Sequence, residues 1–241
     1  MLAASKITSQ NTLKEIVRHD KSSDVRMMAT QQLNRQYILK EVVRHKKDPK
    51  IRTRAASQIT NQNTLKEIVR HDKSSDVRMM ATQRLNRQYI LKEVVNHEKD
   101  PKIRTQAASQ ITNQNTLKEI VRHDKSSDVR MMATQRLNRQ YILKEVVNHE
   151  KDPQIRAQAA SQITSQNTLK EIIRHDKSNA VRMVAVEGIR KQNILRDVVR
   201  YEKDTEIRLL AASKLRKHRL LKYVLKFDES NEVRELAANM L

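Results

Sequence analysis

The chain has 241 residues with 49 Lys and Arg against 28 Asp and Glu, a net charge of +21, one Gly, three Pro and no Cys or Trp. Missing turn glycines exclude a large hairpin-built sheet, and the absence of cysteine excludes disulfides, a thiol nucleophile and cysteine-ligated metal. Abundant Ala, Leu, Lys, Arg, Gln and Glu predict an almost entirely helical protein, with a surface that is either simply very soluble or suited to an anionic partner.

In chain order, the first ten residues, MLAASKITSQ, match only the end of a pattern that then recurs. NTLKEIVRHDKSSDVRMMAT begins at Asn11 and returns at Asn63 and Asn115. Each 52-residue block divides again, because residues 11–36 align without gaps on residues 37–62. The repeat is therefore 26 residues long and starts at Asn11, Tyr37, Asn63, Tyr89, Asn115, Tyr141, Asn167, Asn193 and Arg219. One array over 1–241 is expected: a half repeat at 1–10, six regular repeats over 11–166, and three diverged repeats over 167–241.

Within a repeat, apolar residues fall at positions 3, 6 and 7 (Leu13, Ile16 and Val17 in the first) and again at 15, 19 and 23 (Val25, Ala29 and Leu33). Both sets have helical spacing. Between them Asp48, Asp100 and Asp152 precede Pro49, Pro101 and Pro153, an N-cap followed by proline at the first helical position; Ser22, Ser74 and Ser126 occupy the same cap elsewhere. A short helix A, a tight turn and a helix B follow for each repeat. Helices this short are marginal alone, so neighbours must stabilise them.

The shared core, read in DKSSDVRMMATQQL, EKDPKIRTQAASQI and DESNEVRELAANML, resembles the short HEAT-like repeats, with leucine-rich-variant repeats as near cousins. The resemblance spans the chain and implies an all-α, right-handed αα-solenoid with B helices on the concave side and A helices on the convex side. Arrays of this kind act as scaffolds, regulators, lyases and DNA-binding proteins.

A helical wheel turns positions 1, 4, 5 and 8 of helix A outward. Position 4 is basic in every repeat, from Lys14 to Lys222, and position 8 in all but two, Asn96 and Asn148 being the exceptions. Position 5 is acidic until Tyr223. Two basic rows and one acidic row are expected on that face, either solvated or spaced for phosphates. On helix B the wheel turns positions 17, 20, 21 and 24 outward: Met27, Thr30, Gln31 and Asn34, then Met79, Thr82, Gln83 and Asn86, then Met131, Thr134, Gln135 and Asn138, with Ala56 and its equivalents in the even repeats. Arg35, Arg87 and Arg139 flank this neutral face. Its amides suit either a peptide backbone or base edges of single-stranded RNA.

Arg occupies position 16 in all nine repeats, and an acidic residue occupies position 10 in most, with Lys46 breaking the pattern. Bidentate pairing with the adjoining repeat is the expected role. Histidines at position 9, from His19 to His175, fall at the end of helix A, where they can bond the last carbonyls; protonation in mildly acidic solution would add up to seven charges. Gly188 falls within a helix B and marks a close contact or a kink.

No catalytic grouping, phosphate-binding glycine loop or metal-ligand spacing appears. The expectation is a non-enzymatic scaffold with no cofactor, no metal and no membrane span, cytoplasmic, binding nucleic acid through Met27, Gln31, Asn34, Arg35, Met79, Gln83, Asn86, Arg87, Met131, Gln135, Asn138 and Arg139. The alternative is a protein or peptide partner, and self-association through the N-terminal half repeat is a further expectation.

Overall fold

A computed structural model describes residues 7–241, which form helices and turns with no strand among them. The predicted half-repeat helix falls on residues outside those described. The chain divides into two compact units, 1–116 and 117–241.

The first unit contains α1 (Gln10–His19), α2 (Ser23–Gln32), α3 (Gln36–His45), α4 (Pro49–Ala56), α5 (Gln62–His71), α6 (Ser75–Arg84), α7 (Gln88–His97) and α8 (Pro101–Ala108). The division falls inside α9 (Gln114–His123). The second unit continues with α10 (Ser127–Arg136), α11 (Gln140–His149), α12 (Pro153–Ser161), α13 (Gln166–His175) and α14 (Asn179–Glu187). It ends with α15 (Gln192–Tyr201), α16 (Thr205–Ser213), α17 (His218–Phe227) and α18 (Asn231–Asn239). Odd-numbered helices are A and even-numbered helices are B, so each repeat is one A–B pair, all-α throughout the described residues.

The turn between A and B is built by the predicted caps. Asp48 and Asp100 accept from the backbone N–H of Lys50 and Lys102 at 2.9 Å, with proline at the first turn. Ser22 caps through its hydroxyl. At Ser74 and Ser126 the position-10 carboxylate takes over, since Asp72 and Asp124 accept from the Ser74 and Ser126 N–H groups at 2.8 and 2.9 Å.

Where helix A begins with glutamine, the open end of the pair is closed by a residue the periodicity did not single out. The glutamine that begins helix A spans the end of its own helix B, where backbone groups lack helical partners. Gln62 Nε2 donates to the Arg84 carbonyl at 3.2 Å and its Oε1 accepts from Asn86 N–H at 2.8 Å. Gln36, Gln88, Gln140, Gln166 and Gln192 do the same. Both ends of the side-chain amide are used, as its donor and acceptor chemistry permits.

The core follows the expected positions 3, 6, 7, 15, 19 and 23, as in Leu65, Ile68, Val69, Val77, Ala81 and Leu85. Position 20 departs from the wheel. Thr30, Thr82 and Thr134 are fully buried, as are Ala56 and Ala108. B helices pack on their own A helices, as α4 does on α3, and also on neighbouring B helices, as α4 does on α2 and α6, or α12 on α10 and α14. That second interface widens the buried arc and requires a small side chain. The threonines fit because each hydroxyl donates to the carbonyl four residues earlier, Arg78 for Thr82 at 2.9 Å. Gly188 terminates α14 at its C-cap in ordinary right-handed geometry and does not interrupt the helix. A Cβ there would lie 2.8 Å from Leu169 Cδ1, so the close-contact expectation holds.

Candidate polyanion interface

Position 16 organises the A–B turn. Arg78 Nη1 donates to the carbonyls of Asp72 and Lys73 at 3.1 and 3.3 Å, closing its own turn. Its Nε and Nη2 grip Glu98 of the following repeat at 2.9 and 3.1 Å. The fork recurs in Arg52–Asp72, Arg130–Glu150, Arg156–Asp176, Arg182–Glu202 and Arg208–Asp228. The predicted pairing is therefore correct, and these arginines serve the array. At Asp176 burial pushes the carboxyl upward, but bonds from Arg156 and the Ser178 amide and the charges of Arg156 and Arg182 outweigh it, leaving the group below the ordinary range.

The basic rows on helix A are partly neutralised between repeats. Lys14, Lys66 and Lys118 pair with Glu41, Glu93 and Glu145 at 2.7, 2.7 and 2.6 Å. Arg18 and Arg70 add second contacts to Glu41 and Glu93. The Lys14 bond is the largest influence on Glu41 and holds its carboxyl below the usual range against burial. Among the described residues, no position-9 histidine bonds a carbonyl. His19, His123 and His175 stand 3.5 Å from Glu15, Glu119 and Glu171 one turn earlier and remain well exposed.

The expected binding residues divide into two groups. Gln31, Gln83 and Gln135 are exposed on helix B, with Met27, Met79 and Met131 half-buried beside them. Asn34, Asn86 and Asn138 do not continue that face. Helix B ends at Gln32, Arg84 and Arg136, so each asparagine lies in the turn to the next repeat. Arg35, Arg87 and Arg139 follow as exposed N-cap residues of α3, α7 and α11, without a side-chain cap bond. The wheel failed here because it continued a helix that leucine at position 23 terminates.

One cationic row was missed from the sequence. Position 11, in the A–B turn, is lysine in eight repeats: Lys21, Lys47, Lys73 and Lys99 in the first unit, and Lys125, Lys151, Lys177 and Lys203 in the second. All are exposed, and none forms an ion pair among the described residues. The position-16 arginine accounts for this placement, because it binds the lysine's own carbonyl, 2.8 Å for Arg52 to Lys47. The periodic signal was visible, but position 11 lies outside both helices and a helical wheel assigns it no face.

Beside this row, clefts open between successive A helices. In the first unit one of about 850 Å³ lies between α3 and α5, lined by Arg44, Lys46, Lys47, His71 and Lys73 among others. A second of about 320 Å³ lies between α5 and α7, with Arg70, His97 and Lys99 on its wall. The second unit has clefts of about 490 Å³ between α9 and α11 and about 350 Å³ between α13 and α15. Each cleft has polar, cationic walls and an apolar floor such as Val69 and Ile90.

These features define a tandem two-helix repeat scaffold. Among solved structures, a leucine-rich repeat variant with a novel repetitive structural motif superposes with a TM-score of 0.70 at 18% identity, covering 98% of this chain and 88% of that chain. That likeness establishes the repeat-solenoid fold class. YibA of Escherichia coli aligns over 100% of this chain and 94% of its own at 20% identity, with a TM-score of 0.37. No family model and no curated protein matches the sequence. No described helix is long and apolar enough to cross a membrane.

Proposed function

We propose that the protein is a non-enzymatic scaffold that binds a nucleic acid, RNA or DNA, along the A–B turn edge of its repeats. The observation that carries this reading is the position-11 lysine row, with one exposed and unpaired ammonium in each of the first eight repeats. Neighbouring helices pack about 8–10 Å apart, a spacing that lets consecutive lysines follow a phosphate backbone. Position-8 arginines and position-9 histidines line the same clefts. Arg35, Arg87 and Arg139 supply a second, sparser set of cations at the opposite turns. The exposed Gln31, Gln83 and Gln135 beside half-buried methionines favour a second reading, a peptide or protein partner on helix B.

Titration with single- and double-stranded nucleic acid at two salt concentrations tests the assignment. Log affinity should fall with log salt by about 0.7–0.9 for each phosphate contacted. Lys73→Glu with Lys99→Glu should flatten that slope by nearly two such increments. The fold accepts an acid there, since Glu229 occupies the equivalent turn. An unchanged slope removes the lysine edge from the interface; loss of binding in Arg35→Glu, Arg87→Glu and Arg139→Glu alone would move it to the opposite turns. Absence of binding at low salt rejects the nucleic-acid reading.

A further inference from the structure

The arginine–carboxylate ladder is broken once, at Lys46. Six position-16 arginines hold a carboxylate of the next repeat in a two-bond fork. Arg26 is oriented as they are, its Nη1 donating to the Asp20 and Lys21 carbonyls at 2.7 and 3.0 Å. The residue in the carboxylate's position is Lys46, whose Nζ donates to the Arg18 carbonyl at 2.9 Å. Among the described residues, no carboxylate lies within ion-pair distance of Arg26 or Lys46.

The neighbouring acids are engaged elsewhere. Glu41 is held by Lys14 and Arg18; Asp20 accepts from Ser22 N–H, and Asp48 from Lys50 N–H and the Ser23 hydroxyl. Residues 1–10 contain no Asp or Glu. Burial, and after it the charges of Arg26 and Arg18, hold the Lys46 ammonium below the ordinary lysine value. Arg26 and Lys46 are both half-buried.

We propose that Arg26 and Lys46 form an oxyanion-binding site for a phosphate group, occupying the place a carboxylate fills in other repeats. The Nε–Nη2 edge of Arg26 presents two parallel donors, the geometry that binds phosphate bidentately. Lys46 supplies a second charge from another direction, so a tetrahedral dianion neutralises the pair where a single carboxylate leaves one charge over. The site does not depend on the nucleic-acid reading, because its receptor is one arginine–lysine pair rather than a row.

Calorimetric titration of the full chain with inorganic phosphate, at ionic strength held constant with chloride, tests this. One phosphate should bind the wild-type chain, and Lys46→Glu should weaken that binding by about tenfold or more, as expected for losing charge-assisted hydrogen bonds. Lys46→Glu installs the acid found at Glu98 and Glu150, so it should fold and melt higher than wild type. Glu98→Lys should create a second site at Arg78. Equal phosphate affinity in wild type and Lys46→Glu overturns the proposal, and acetate binding as tightly as phosphate overturns the dianion assignment. A phenyl phosphate arm identifies the source: equal affinity marks a phosphate carried on a larger molecule, whereas selective binding of inorganic phosphate marks the free ion.

Discussion

Arginine at position 16 combines three contacts in one side chain: two carbonyls of its own turn and a carboxylate of the next repeat. Lysine cannot reproduce this, because an ammonium lacks the planar fork. Replacing Arg78 by Met keeps much of the aliphatic stem but leaves Glu98, nearly buried at 4% side-chain exposure, without its partner. A loss of about 2–3 kcal/mol is expected, read as a lower urea midpoint. The carboxylate side of the ladder predicts acid sensitivity. Asp176 titrates below its unfolded value, so its stabilisation is complete above about pH 4 and is lost as the pH falls through the depressed folded value. Asp176→Asn should remove that part of the acid dependence, measured as melting temperature against pH; an unchanged acid limb would exclude this carboxylate as a contributor.

Helix boundaries in this chain depend on side chains that replace missing backbone partners. Asp100, followed by Pro101, starts α8 by accepting from Lys102 N–H. Asp100→Ala should cost about 1 kcal/mol, with faster amide exchange confined to the first turn of α8 and its immediate contacts. At the opposite end of the pairs that begin with glutamine, that glutamine performs the complementary task. Periodicity identified the helices and the Asp-Pro caps; it placed the serines at the right positions, but of these only Ser22 caps with its hydroxyl, Ser74 and Ser126 making no side-chain cap bond. It did not identify the glutamine clamp, because Gln at a helix start reads as an ordinary polar residue. Its value arises only when the antiparallel B helix brings two backbone groups within reach. The buried Thr82 and its equivalents were missed for a related reason: a single-helix wheel contains one interface, and these helices have two.

The molecule is modular with two nested periods. The 26-residue repeat sets the A–B pair, while the 52-residue alternation sets which lysine meets which glutamate, as in Lys14–Glu41 and Lys66–Glu93. Nearest-neighbour stacking makes stability approximately additive over repeats. Removing residues 63–114, one full 52-residue block, should therefore preserve helicity per residue in circular dichroism. Removing only 63–88 places two even repeats in succession and loses the odd–even lysine–glutamate pairing at the junction, so its melting temperature should fall below that of the larger deletion. A higher melting temperature for the 26-residue deletion would show that the alternation carries no energetic weight.

The sequence alone determined the repeat, the helix pairs, most of the core and the arginine–carboxylate ladder, because each is written as a local period or a residue recurring at fixed spacing. Tertiary structure decided where the charge is available. The odd-repeat helix A lysines Lys14, Lys66 and Lys118 are matched by glutamates one repeat away, whereas the turn lysines are not, and this distinction depends on which side chains meet between repeats. It also showed that Asn34 and Arg35 belong to a turn, and that Lys46 faces Arg26 where a carboxylate should be. A net charge of +21 is a property of composition; the free cations are a property of packing, since only packing brings opposite charges close enough to cancel.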